Sequence, residues 1–192
     1  LTYIFQTNSN YIVITVLIIM LLVASWISLR TTSLPRKTLL LNAVYSIVLG
    51  GVTVLLLMTQ GVLSLNPWYS PSYMIPLGGM IFASSMNGIS LAAERLESEL
   101  KQGQPYEKAK VIALRTSLIP ITNMLLAVGL VSVPGMMTGQ ILSGVSPLIA
   151  VRYQIMVMCM IFGSTGISAA VFLHSAKDSF TKVKTVSNNF NS

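Results

Sequence analysis

Five apolar runs, separated by short polar connectors, dominate this sequence. They occupy 11–29 (YIVITVLIIMLLVASWISL), a stretch within 38–65, 74–93, about 117–133 and about 150–173. Each is long enough to span a bilayer, which takes about 20 apolar residues in a helix. Within hydrocarbon every backbone group must find its partner inside the chain, so such runs have to be helical. Only 9% of the residues are charged, against about a quarter in a soluble domain. The expected fold is all-α: a polytopic transmembrane bundle of about five spans. Residues 1–175 form one membrane domain and 176–192 a polar tail.

The connectors orient the bundle. Arg30, Arg36 and Lys37 join spans one and two; Arg95, Lys101, Lys108, Lys110 and Arg115 join spans three and four; Lys177, Lys182 and Lys184 follow span five. The alternate connectors, at 66–73 and about 134–149, carry no charge, and Arg152 alone among 12 basic residues falls on their side. Lysine and arginine concentrate in cytoplasmic loops, so the tail is expected inside and Trp68 and Tyr69 at the outer interface. The net charge of +7 is thereby read as topology-setting, and nucleic acid is not an expected partner. The chain starts at Leu1, and LTYIF reads as the outer end of an earlier helix. The tail sequence TVSNNFNS reads as unstructured.

Chemistry is hard to place in such a chain. There is no GxxxxGK[ST] phosphate loop and no HExxH, and the lone Cys159 excludes an internal disulfide. His174, Ser175 and Asp178 are neighbours but lack the ordered pocket that a hydrolytic triad needs. Glu94, Glu97, Glu99, Glu107 and Asp178 all fall at or beyond the cytoplasmic ends of the spans. An ion-coupled carrier keeps such groups within its spans. The expectation is a permease that is not an enzyme, binds no cofactor, and draws its energy from a partner that uses ATP.

Two segments depart from plain spans. The connector ERLESELKQGQPYEKAKVIALR (94–115) is the longest charged stretch. Leu96 and Leu100 share a face, Glu97 and Lys101 are spaced to pair, Gly103 breaks the helix and Pro105 opens another. Tyr106, Ala109, Ile112 and Ala113 then share one side. The pattern is a broken amphipathic helix, either a hairpin on the lipid surface or a docking element. As a docking element it carries Glu97, Leu100, Gly103, Pro105, Tyr106 and Ala109. The second segment is LVSVPGMMTGQILSG (130–144). Pro134 removes a backbone donor, and Gly135 and Gly139 form a GxxxG that permits close helix approach. Irregular backbone at membrane depth is tolerated only when buried in protein or lining a cavity. An interrupted span or re-entrant segment near 134–144 is expected, with Pro134, Gly135, Met136, Met137, Gly139 and Gln140 as pathway or helix-break residues.

These residues also carry a resemblance. VGLVSVPGMMTGQILSG followed by SPLIAVRYQIMVM resembles the signature of the FetB-type ABC transporter permeases, predicted iron exporters of bacteria. The family is similar to the membrane half of a plant aluminium-tolerance transporter. IPLGGMIFASSMNGISLAAERL and the connector also fit, so the match covers about residues 1–175. Where relatives tend to read GN in the third span, this chain has Ala83 and Ser84. The resemblance implies further N-terminal helices, a bacterial plasma (inner) membrane location and a second permease copy. It also implies a separate cytoplasmic ABC ATP-binding subunit and outward transport of iron. A self-contained channel or facilitator, and a non-transporting scaffold, are the alternatives from the residues alone.

Eleven methionines raise the question of a thioether path for Cu(I). Met156, Met158 and Met160 cannot share one helical face, so gap-filling by a flexible side chain is favoured. For a harder cation, Asn87, Asn123, Gln140, Gln154 and carbonyls freed near Pro134 are oxygen donors. Gln140 and Gln154 are the candidate metal ligands.

Overall fold

The computed structural model describes residues 10–180 apart from Pro35 and Ser132. The readings of LTYIF and of TVSNNFNS fall outside that range. Among the described residues six helices follow one another: α1 (Asn10–Ser28), α2 (Arg36–Val62), α3 (Pro71–Lys101), α4 (Tyr106–Ala127), α5 (Gly135–Leu142) and α6 (Pro147–Ser175). All but α5 are long and apolar enough to cross a membrane, and there is no strand among the described residues.

α3 is the hub, packing against α1, α2, α4 and α6. Lipid tails are as apolar as leucine, so helices in a membrane gain from close approach and interhelical hydrogen bonds rather than from hiding grease. The sequence provides for this with small residues. A Cβ on Gly78 would lie 2.6 Å from Leu17 Cδ2, and one on Gly88 2.6 Å from Thr165 Cγ2. Between α3 and α6, Ser168 Oγ and Ser85 Oγ are 3.1 Å apart, and Ser85 Oγ donates to the Ser164 carbonyl at 3.4 Å. Between α3 and α1, Ser90 Oγ donates to the Ser28 carbonyl at 2.9 Å.

α2 crosses α6 through a local widening. Val48–Val52 and Leu57–Val62 are π-helical, a rare geometry that occurs in single turns within α-helices. The first holds Gly50, where a Cβ would sit 2.6 Å from the Ser168 backbone nitrogen. Backbone meets backbone there, and only glycine fits.

The charge pattern is reproduced in space. The α1–α2 loop, the α3–α4 turn and the end of α6 meet at one end of the bundle. Thr32 and Ser33 contact Glu97, and Tyr106 reaches Leu173. The uncharged connectors lie at the other end, where Trp68 and Tyr69 stack edge to face at 5.7 Å.

Three boundaries differ from the sequence reading. The connector at 94–115 is no separate surface helix: α3 runs unbroken from Pro71 to Lys101 and α4 starts at Tyr106. At 1.5 Å per residue, α3 is about 46 Å long against a hydrocarbon thickness of about 30 Å. The expected break is real but short. Gly103 has φ +85, a conformation that glycine adopts without strain, and Pro105 caps α4 from outside. Second, the fourth span ends at Ala127 rather than near 133, because Val128 is extended and Gly129 has φ +82. Third, the interrupted segment is a distinct eight-residue helix, α5, with Pro134 at its N-cap and Gly144 (φ +90) beyond its end. It packs on α6 but buries no residue completely.

Candidate functional site

α3, α4 and α6 diverge around a cavity of about 130 Å³. Its walls follow helical periodicity. α3 contributes Ser84, Asn87, Gly88 and Leu91; α4 contributes Ser117, Pro120, Ile121 and Met124; α6 contributes Ile161 and Thr165. The two sets of four share the spacing i, i+3, i+4, i+7 that defines one helix face. Gly88 brings α3 against Thr165, and Pro120 lies inside α4. Proline lacks an N–H, so the Thr116 carbonyl four residues earlier loses its helical donor. The Ser117 and Thr165 hydroxyls donate to the Leu114 and Ile161 carbonyls, both at 2.8 Å. Their own lone pairs stay free to accept.

The donors of this cavity are therefore uncharged: a few oxygens and the Met124 thioether in a largely apolar lining. No group of three or more His, Cys, Asp or Glu able to hold a metal ion occurs among the described residues. Such a lining suits passage of a partly hydrated group better than tight retention. Asn87 and Asn123 are exposed within the long apolar helices α3 and α4, and α4 is the least buried of the spans, at 22% of its most apolar window. An amide facing hydrocarbon is costly.

The hairpin at the charged end is clamped on both flanks. Glu97 pairs with Lys101 at 2.7 Å. It also accepts hydrogen bonds from Thr32 Oγ1 at 2.8 Å, from the Ser33 amide at 3.0 Å and from Ser33 Oγ. Burial opposes ionisation of Glu97, but the bonds from Lys101, Ser33 and Thr32 outweigh it and bring the carboxyl down to about 2. Beside it Arg95 pairs with Glu99 at 2.6 Å, with the Glu99 side chain buried. On the other flank the Tyr106 hydroxyl donates to the Leu173 carbonyl at 2.6 Å, and Lys177 Nζ lies 2.7 Å from Glu107 Oε1.

This arrangement divides the docking candidates. Ala109 is buried, and Leu100 and Tyr106 pack against the core. Glu97 is turned into the α1–α2 loop. Gly103 and Pro105 are exposed at the tip together with Lys101, Gln102, Glu107 and Lys108. The break residues form a third group. Pro134, Gly135, Met136, Met137, Gly139 and Gln140 lie on or at the start of α5 and do not line the cavity. Among the described residues a Cβ on Gly135 or Gly139 would meet nothing within 4 Å, so this GxxxG makes no close crossing with them. Gln154 is buried on α6.

Sequence reasoning singled out Asn87 and noted Ser84 as a departure from the family pattern, but passed over Gly88, Ser117 and Thr165 as lining residues. The available signal was the repeated i, i+3, i+4 spacing of small or polar residues in spans three and four.

The sequence profile of the uncharacterised protein family UPF0014 matches residues 1–180. Over 178 residues the chain is 39% identical to a UPF0014 membrane protein of Synechocystis sp., covering 84% of this chain and 68% of that one. It is 32% identical over 191 residues to the protein ALUMINUM SENSITIVE 3 of Arabidopsis thaliana, covering 91% and 68%. It is 27% identical over 186 residues to the probable iron export permease protein FetB of Escherichia coli, covering 89% and 70%. No solved structure matches.

Proposed function

This chain belongs to the UPF0014 family of membrane proteins, and from that premise we propose that it is the membrane-spanning subunit of an ABC-type exporter of iron. A separate cytoplasmic ATP-binding subunit supplies the energy, and a second copy of the chain completes the permease. The membrane is the bacterial plasma membrane, with the charged end of the bundle and the C-terminus in the cytoplasm.

The observation that carries this reading is the continuity of α3 and α4. The helices that line the cavity at 84–91 and 117–124 run without interruption into the hairpin tip. Force applied at 102–105 reaches the cavity walls through two rigid rods. The Glu97 and Tyr106 clamps bring the α1–α2 loop and α6 into the same movement. The exposed amides of Asn87 and Asn123 support a second copy covering the α4 side. Iron as substrate is supported by the name of the Escherichia coli relative, and the uncharged cavity lining would let a cation pass without trapping it.

Charge reversal at the tip tests the docking. The variant Lys108→Glu, at an exposed tip residue, is expected to lose co-purification with the ATP-binding subunit while keeping its thermal stability. Undiminished co-purification would remove the hairpin from the interface. Metal flux that needs no ATP would instead favour a self-contained channel.

A further inference from the structure

At the charged end, α1 and α2 carry a surface that neither the cavity nor the hairpin tip uses. On α1, Ile18, Leu22 and Trp26 stand four residues apart and all are exposed. Arg30 follows at the same interval, just past the helix end, and is exposed too. On α2, Lys37, Leu41 and Tyr45 repeat the spacing and the exposure. Residues four apart are neighbours on a helix surface, so each helix presents a largely apolar stripe that ends in a cation. α1 and α2 pack against each other. Arg36 joins their ends: its guanidinium carbon lies 5.5 Å from the centre of the Trp26 ring.

Arg30, Arg36 and Lys37 have no acidic residue between them in the chain. The ion pairs among the described residues join glutamates to Arg95, Lys101, Lys110 and Lys177 instead. Glu94 and Glu97 face the α1–α2 loop from α3, in a pocket of about 270 Å³ shared with Thr31, Ser33, Ser98 and Lys101, and none of the three cations lines it. The loop turns its hydroxyls to the carboxylates and leaves its positive charges uncompensated.

Depth decides what compensates them. Tryptophan settles at the headgroup level of a bilayer. Trp26 is 46% exposed, with Leu22 one turn deeper and Arg30 one turn further out. A soluble protein would have to displace lipid to reach the stripes. A phospholipid matches the surface whole, with acyl chains along Ile18, Leu22 and Leu41 and its phosphate at the cations. The planar fork of arginine suits phosphate oxygens, and basic side chains at a membrane surface attract acidic lipids.

We propose that Arg30, Arg36, Lys37 and Trp26 form a site for the headgroup of an acidic phospholipid in the leaflet at the charged end. The site needs only a bilayer around the bundle and is independent of the export reading. A zwitterionic lipid offers the same phosphate, but its own ammonium group competes with the three cations.

The test uses the full chain carrying Trp68→Phe, which leaves Trp26 as its sole tryptophan, in phosphatidylcholine bilayers. A minor fraction of brominated phosphatidylglycerol or brominated phosphatidylcholine is added, and bromine quenches a tryptophan that it touches. Each sample is normalised to the same protein in unbrominated lipid. Phosphatidylglycerol is expected to associate with the Trp26 surface on the order of tenfold more strongly than phosphatidylcholine. Arg30→Gln, Arg36→Gln and Lys37→Gln should each lower that preference about two- to fivefold, a surface cation being worth roughly a factor of five. The triple variant should lose it, and the charge-keeping Arg36→Lys should retain most of it. Lys108→Gln, at the hairpin tip, should leave it unchanged. Inorganic phosphate, at ionic strength matched with chloride, should not reduce it. Thermal unfolding checks that the variants fold. Equal quenching by the two lipids, or a preference that survives the triple variant, would overturn the proposal. An equal loss in Lys108→Gln would replace the site with the general surface charge, and displacement by inorganic phosphate would replace the lipid with a free anion.

Discussion

Replacing Gly88 with alanine places a Cβ 2.6 Å from Thr165 Cγ2, where contacts below 3.0 Å essentially never occur. To reach ordinary contact the pair must open to at least 3.4 Å, and the crossing of α3 and α6 lies at the cavity wall. Overpacking a fitted core costs about 1–3 kcal/mol, which in a chain of this length lowers Tm by roughly 2–10 °C. The offending atom is a methyl group, so the cost should be reversible. Thr165→Ser removes Cγ2 and keeps the 2.8 Å hydrogen bond to the Ile161 carbonyl. The double variant Gly88→Ala, Thr165→Ser should unfold within about 0.5 kcal/mol of Thr165→Ser alone, the usual precision of such comparisons. Gly50→Ala supplies the contrast. There the new Cβ would lie 2.6 Å from the Ser168 nitrogen and 3.0 Å from its Cα. These are backbone atoms, so Ser168→Gly should fail to rescue it. Thermal unfolding in detergent, followed by circular dichroism, reads all five variants. If Gly88→Ala unfolds like the wild type, or Thr165→Ser does not compensate it, the α3–α6 crossing is wrongly described.

Other perturbations address the clamp and the short helix. Tyr106→Phe deletes the bond to the Leu173 carbonyl and should cost about 0.5–1.5 kcal/mol by the same unfolding assay. Gly139→Ala should leave stability unchanged or raise it by up to about 1 kcal/mol, because alanine is the better helix former and no described residue lies within 4 Å of the new methyl group. A drop in Tm would mean that α5 packs more closely than described. Glu97 is a carboxyl whose folded value, about 2, lies below its ordinary 4.5. Its contribution is therefore full above 4.5 and is lost as pH falls through about 2. Hydrogen exchange should find the Ser33 amide protected at pH 4 in the wild type and less protected in Glu97→Ala; equal protection would remove Glu97 as its acceptor.

The spans were legible because hydrocarbon leaves a chain few options. Apolar length and basic connectors suffice to place five helices and to gather Arg30, Arg95 and Lys177 toward one end. Gly103 was legible for the same local reason, since a glycine followed by a proline two residues later ends one helix and permits another. The fate of Leu100 and Ala109 was not. An amphipathic stripe shows that a face is buried but not what buries it, and these residues turn toward the bundle rather than outward. The reach of α3 to Lys101 was also hidden, because hydropathy marks where lipid ends and not where a helix ends. The GxxxG at 135 and 139 misdirected attention from Gly50, Gly78 and Gly88, which sit at the crossings. One small residue per helix suffices when the partner presents Leu17, Thr165 or Ser168. The cavity needed three helices aligned in depth, a relation between segments that no single window contains.

The most direct measurement is iron flux in proteoliposomes of this chain, reconstituted with and without its ATP-binding subunit and preloaded with Mg-ATP on the hairpin side. The account predicts vectorial movement of Fe²⁺ away from the hairpin side only when both subunits and ATP are present. Loss of that flux is also expected in the Lys108→Glu variant. Flux of equal size from this chain alone, without ATP, would contradict it.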